Sequence, residues 1–252
     1  MRYFIELSYN GKPYHGWQIQ PNAITVQEEL EKALSLLLRQ NIKITGAGRT
    51  DTGVHALQMF AHFDIDQPVE TAKLVNKLNA FLPQDIAIRQ IRRVTADAHA
   101  RFDALSRSYK YYIHRYKQPF LYDRSWYFTK DLDVKLMNKA ANILLLYDDF
   151  KSFSKTHTDV KTYICRIDEA RWDVTDNQLV FSITADRFLR NMVRAIVGTL
   201  VDVGLHKISE ADFVKIIEAG DRQQAGFSVP AHALFLTQIT YPDNIFLDYG
   251  ND

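Results

Sequence analysis

Apolar and aromatic residues crowd Arg2 to Tyr9 and give way to Asn10-Gly11, the pattern of a strand that runs into a turn. Beyond Thr25 the period changes. Leu30, Leu34, Leu37 and Leu38 recur at helical spacing. Thr25-Val26-Gln27-Glu28 precedes them in the T-x-x-E form, whose hydroxyl and carboxylate satisfy free backbone N–H groups at a helix start. Ile42 and Ile44 predict a second strand, and Met59, Ala61, Phe63 and Ile65 alternate as a third strand should. Leu74, Leu78, Phe81 and Leu82 predict a second helix stopped by Pro83, and Ile86 to Val94 a fourth strand. The resulting order, β-α-β-β-α-β, is the ferredoxin-like arrangement of helices packed on one face of an antiparallel sheet.

A similar order returns after about residue 105. Ser108 to Arg115 predicts a strand, and Leu136, Ala140, Ile143 and Leu144 a helix. Two further strands, Arg166 to Val174 and Leu179 to Thr184, flank a tight Asp176-Asn177 turn. Phe188 to Val203 reads as a helix, Ser209 to Asp212 as the cap of an extra one, and Leu234 to Tyr241 as the closing strand. The expectation is an α+β protein of two ferredoxin-like or RRM-like halves, 1–104 and 105–252, without sequence repeat. No Gly/Ser linker divides them, so their antiparallel sheets are expected to be continuous.

Composition narrows the function only slightly. Across 252 residues, 31 Lys+Arg face 30 Asp+Glu, so a nucleic-acid surface would need local clusters of basic residues, such as Arg89, Arg92 and Arg93, or Arg101 and Arg107. Such small clusters are more often solvated faces. The single cysteine, Cys165, excludes an internal disulfide and a thiolate metal cluster, and fits a reducing cytoplasm. No apolar run approaches the ~20 residues of a membrane span, and the N-terminus lacks a signal-peptide layout.

Candidate chemistry sits between strands two and three, in Gly46-Ala47-Gly48-Arg49-Thr50-Asp51-Thr52-Gly53-Val54-His55-Ala56. Its glycines permit a sharply turned loop that can approach a ligand closely, with Asp51 at the middle. A phosphate loop would need Gly-Lys-Ser/Thr at its end, and a dinucleotide loop glycine where Asp51 stands. Alone, Asp51 reads more readily as the side chain of an Asx-turn than as a nucleophile.

The whole string, however, resembles the Gly-Arg-Thr-Asp-x-Gly-Val-His-Ala signature of the TruA family of pseudouridine synthases. Four further segments are similar to that family's motifs, in the same order: Tyr14-His15-Gly16-Trp17-Gln18-Ile19-Gln20-Pro21 with Thr25-Val26-Gln27; Ala100-Arg101-Phe102-Asp103-Ala104; Arg107-Ser108-Tyr109-Lys110-Tyr111; and Phe188-Leu189-Arg190-Asn191-Met192-Val193-Arg194-Ala195-Ile196-Val197-Gly198. Departures occur at Thr52, where alanine is usual, and at Ala195, where asparagine is. The segment Ala225 to Leu236 is looser than the family's A-G-x-T-A-P-A-x-G-L-Y-L.

The resemblance implies isomerisation of uridine to pseudouridine in the anticodon stem-loop of tRNA, at positions 38 to 40. No atoms are gained or lost, so neither cofactor nor metal is expected. Asp51 is implied as the nucleophile. Desolvation by RNA and protein would favour its protonation, so a fixed cation is required, and Arg194 matches the family's arginine. Without the motif, Arg194 reads as a solvated helix arginine. Tyr109 matches the tyrosine that stacks on the flipped uracil and takes the C5 proton, while Tyr111 and Tyr112 read as ordinary strand aromatics. Arg49 matches the arginine that helps hold the base out of its stack, and Leu234 an apolar residue lining the base pocket or, equally, a core position. The family also implies a homodimer that shares one tRNA.

Two other classes compete. A non-catalytic pair of RRM-like modules would want an RNP-type aromatic strand, which is absent. A carboxylate glycosidase would need a second acid opposite Asp51, and the loop offers none. A slow relative of the TruA family is compatible with the altered 225–236 segment.

Overall fold

The computed structural model describes residues 1–156, 160–175 and 178–247. Among them the protein is α+β, with five α-helices and nine strands that pair mostly antiparallel. It divides into two compact units: Met1–Leu105 with the described residues from Leu236 onward, and Ser106–Phe235.

The first unit begins with β1 (Arg2–Tyr9), α1 (Val26–Leu38), β2 (Ile44–Gly46), β3 (His55–Asp64), α2 (Thr71–Phe81) and β4 (Ile86–Val94). β1 lies between β3 and β4, antiparallel to both, so that Ile5 faces Ala61 on one side and Ile91 on the other; β2 adds to β3. Thr25 caps α1 by accepting the Glu28 N–H, but Glu28 turns its carboxylate to Lys32. The T-x-x-E string therefore delivers one of its two capping bonds. Leu82 breaks to extended backbone ahead of Pro83 and ends α2, as the residue before proline is biased to do.

The alternation predicted for β3 describes only one of its faces. Met59, Ala61 and Phe63 are buried as expected, yet Phe60 and His62 on the other face are buried too. Phe4, Phe60, Tyr241 and Phe246 pack edge to face there. Residues 241–246, after the closing strand, thus give the sheet a second apolar cover that local periodicity could not reveal.

The second unit contains β5 (Ser106–His114), β6 (Trp126–Tyr127), α3 (Val134–Ile143), β7 (Ile167–Val174), β8 (Gln178–Ala185), α4 (Met192–Gly204) and α5 (Glu210–Ala219). β8 lies between β5 and β7, antiparallel to both, and the short β6 runs parallel to β5. The predicted Asp176-Asn177 turn lies outside the described residues. Ser209 and Asp212 form a reciprocal capping box on α5. The closing strand, β9 (Leu234–Thr240), begins in this unit, and its residues from 236 on belong to the first.

One helix is shorter than its apolar pattern predicts. α4 starts at Met192 rather than Phe188, because Asn191 adopts the left-handed conformation at φ 68° and breaks the helical path. Once begun, α4 is buried on every side: all its residues except Arg194 and Asp202 are enclosed. Asp202 pairs with Lys207 at 2.7 Å, while Arg194 sits in the first turn.

Candidate active site

The Asp51 loop connects β2 to β3, and its neighbours on either side are fixed. Its scaffold is the Tyr14-His15-Gly16-Trp17 segment: the Trp17 N–H donates to the Thr50 carbonyl at 3.3 Å, and the Gly53 N–H to the Tyr14 carbonyl at 3.4 Å. Gly16 has φ +88°, and a Cβ placed there would stand 2.3 Å from the Thr50 carbonyl oxygen. Only glycine permits both that backbone and that approach. The Thr50 hydroxyl meets the buried Tyr9 hydroxyl at 2.9 Å. At the loop's end, buried His55 accepts the Gly11 N–H on Nδ1 at 3.1 Å.

Thr50 is therefore anchored inward through hydroxyl and carbonyl, which turns its neighbours outward. Arg49 is exposed and Asp51 half-buried. The Asp51 carbonyl accepts the Val54 N–H at 3.1 Å and closes a single turn. The chain thus presents a carboxylate and a guanidinium two residues apart on a backbone that cannot easily shift.

In the second unit, Tyr109 lies in β5 opposite Ile183 of β8 and is half-buried, its ring perpendicular to that of Phe188 at 5.1 Å between centroids. Arg194 donates from Nε to the Val229 carbonyl at 2.7 Å and accepts the Val229 N–H at 3.3 Å through its own carbonyl. Leu234 is buried at the start of β9. Asp51 and Arg49 accordingly share one loop in the first unit, whereas Tyr109, Arg194 and Leu234 belong to the second.

Tyr111 carries more than a strand aromatic's packing. It is wholly enclosed, and its hydroxyl donates to the Pro230 carbonyl at 3.0 Å. Burial pushes its pKa up, against which the nearby Arg194 charge acts. Tyr111 thus holds the segment after Val229 from one side as Arg194 holds Val229 itself. The sequence signal for this was present in the Arg107-Ser108-Tyr109-Lys110-Tyr111 string, where Tyr111, two residues beyond Tyr109, shares its side of the strand.

Another turn in the first unit is tied with similar care. His62, buried in β3, accepts the Ala100 N–H at 3.1 Å, and His99 Nδ1 accepts the Arg101 and Phe102 N–H groups. Both rings act as neutral acceptors. Burial, then the charges of Arg2 and His99, press the His62 pKa down to about 4, and burial lowers that of His99 as well. These two histidines support the Ala-Arg-Phe-Asp-Ala string and were not singled out by sequence.

Among the described residues, no group of three or more His, Cys, Asp or Glu is arranged to hold a metal ion, and no helix is long and apolar enough to cross a membrane. Cys165 is buried and its thiol pKa is pushed up to about 12, chiefly by burial, so it is held as an unreactive thiol.

The sequence profile of the tRNA pseudouridine synthase family matches residues 7–103 and 140–242, and the chain belongs to that family. Similar proteins include the tRNA pseudouridine synthase A of Porphyromonas gingivalis, 56% identical over 250 residues that cover 98% of this chain and 99% of that one. The tRNA pseudouridine synthase A of Bacteroides fragilis is 56% identical over 247 residues, 97% of this chain and 98% of that one. A more distant relative of the same name, from Bacillus subtilis, is 39% identical over 245 residues, 96% and 99% of the two chains. Within the family, the chain is of the A type, TruA.

Proposed function

We propose that this chain is an isomerase that converts uridine to pseudouridine in the anticodon stem-loop of tRNA, at positions 38 to 40. Membership of the tRNA pseudouridine synthase family supports the reaction. The observation that carries the assignment to residues is the anchored Arg49-Thr50-Asp51 turn, in which Thr50 is bonded inward and Asp51 is left half-buried.

The chemistry breaks the N1–C1′ bond, turns the retained uracil and rejoins it through C5, so the protein must supply a nucleophile, a cation and a proton acceptor. Asp51 is the nucleophile, since an ionised carboxylate can bond covalently to the nucleotide. Arg194 is the cation that keeps such a carboxylate charged when RNA excludes water. Tyr109, whose ring lies perpendicular to that of Phe188, takes the uracil face and the C5 proton. Arg49 braces the RNA from which the base is flipped, and Leu234 lines the base pocket. The reading includes ferredoxin-like halves divided near residue 105, a homodimer and action in the cytoplasm, and it needs neither cofactor nor metal.

Carbodiimide mapping of pseudouridine in tRNA incubated with the protein tests this. New stops at positions 38, 39 or 40 are expected. Binding of tRNA without any new stop would favour a non-catalytic relative and refute the assignment.

A further inference from the structure

The segment 225–230 lies against the first turns of α4, and three side chains hold it there. Arg222, just past α5, folds its guanidinium back so that Nη1 donates to the carbonyls of Ala225 at 3.2 Å and Gly226 at 3.0 Å, while Nη2 donates to the Ser228 hydroxyl at 2.9 Å. The same hydroxyl oxygen accepts from Asn191 Nδ2 at 2.7 Å. Thr199 of α4 takes the Gly226 N–H on its own hydroxyl at 2.9 Å. A Cβ on Gly198 would stand 1.9 Å from the Phe227 carbonyl oxygen, so segment and helix touch backbone to backbone.

These bonds converge on one residue. Immediately after Ser228, Val229 offers its carbonyl to Arg194 Nε at 2.7 Å and its N–H to the Arg194 carbonyl at 3.3 Å. A guanidinium is planar and its donors are fixed in one fork, so a bond at Nε sets the direction in which the terminal nitrogens point. Where Val229 stands therefore decides how the Arg194 fork is aimed.

The arrangement goes beyond what closing a loop requires. Asn191 takes the left-handed conformation, which asparagine tolerates better than most residues with a Cβ, and its amide goes to Ser228 instead of capping α4. Arg222 is half-buried, at a cost to its charge, and its described partners are two carbonyls and a hydroxyl rather than a carboxylate.

We infer that Arg222, Asn191 and Ser228 are positioning residues that aim the Arg194 guanidinium by fixing the Val229 carbonyl. The inference rests on the reading of Arg194 as the cation of the isomerisation. It also accounts for one departure from the family pattern: Ser228 stands where threonine is usual, and the network uses only the hydroxyl that both residues share. The segment can thus differ in sequence and keep its function.

The test measures single-turnover tritium release from tRNA labelled at uracil C5, with protein saturating, together with the Kd for tRNA. The full-length variants are S228A, S228T, R222Q and R194Q. Misaiming a catalytic group by about 1 Å costs on the order of 100-fold, so S228A and R222Q should slow release by about 10- to 100-fold. Their Kd should stay within about twofold of wild type, because aim rather than RNA contact is lost. Returning a hydroxyl in S228T should recover most of the rate, and adding R222Q to R194Q should slow release no further than R194Q alone. S228A is the smaller perturbation and decides the case should R222Q fail to fold.

Wild-type release by S228A, an equal loss in S228T, or a Kd that weakens in step with the rate would each overturn the inference. The last outcome would make Arg222 an RNA contact. A slow R194Q beside a fast S228A would sink the positioning network and leave the role of Arg194 standing. Wild-type release by R194Q would sink both.

Discussion

Gly16 shows how much can depend on one missing side chain. Alanine there would need φ near +88° and would drive its Cβ to 2.3 Å from the Thr50 carbonyl, so Thr50 must move and carry Asp51 with it. Gly16→Ala is expected to lower stability by about 1–3 kcal/mol, the usual cost of a strained backbone. Activity should fall by more than the folded fraction accounts for, which denaturant titration beside tritium release will separate. Tyr111→Phe tests a different kind of dependence. It removes the donor from a partly buried hydrogen bond to the Pro230 carbonyl and should cost about 1 kcal/mol in urea unfolding. Asp51 was legible in sequence only through the string around it, since an aspartate among glycines is more often a turn residue. Asn191 was not legible, because a left-handed asparagine looks like any other polar residue inside an apolar helical pattern.

At the level of elements, the strands and helices of the first unit were read correctly wherever one face is buried and one is wet. β3 departs because its second face is covered by residues 241–246, more than 170 positions further along the chain, a long-range effect that no local window contains. The turn at 98–103 belongs to the same class of hidden structure. His62 and His99 hold it as neutral acceptors, and Arg2, Asp64, Arg101 and Asp103 are the charged groups around them. An imidazole with a pKa near 4 when folded and an ordinary value of ~6.5 when unfolded binds its proton more readily in the unfolded chain. The stability it contributes is therefore complete above about pH 6.5, declines as pH falls toward 4 and is lost below that. Denaturation midpoints at pH 7 and pH 4.5 should show the decline. His62→Gln, which keeps an acceptor for the Ala100 N–H but cannot titrate, should flatten it; an unchanged slope would assign the pH dependence to other groups.

The whole molecule carries near-zero net charge, so nothing in its bulk electrostatics announces an RNA substrate. The resemblance supplied what composition withheld, because its motifs run in order along both units, and the family profile matches residues 7–103 and 140–242. Light scattering on the purified protein should give twice the chain mass if one tRNA is shared by two subunits, and a single chain mass would count against that arrangement. The most direct test of the central claim compares tritium release from C5-labelled tRNA by wild type and by Asp51→Asn, with tRNA binding measured in parallel. The wild type should release tritium and the variant should release none while still binding tRNA. Equal release by both would leave the isomerisation standing and remove Asp51 as its nucleophile; no release by the wild type would contradict the assignment of function itself.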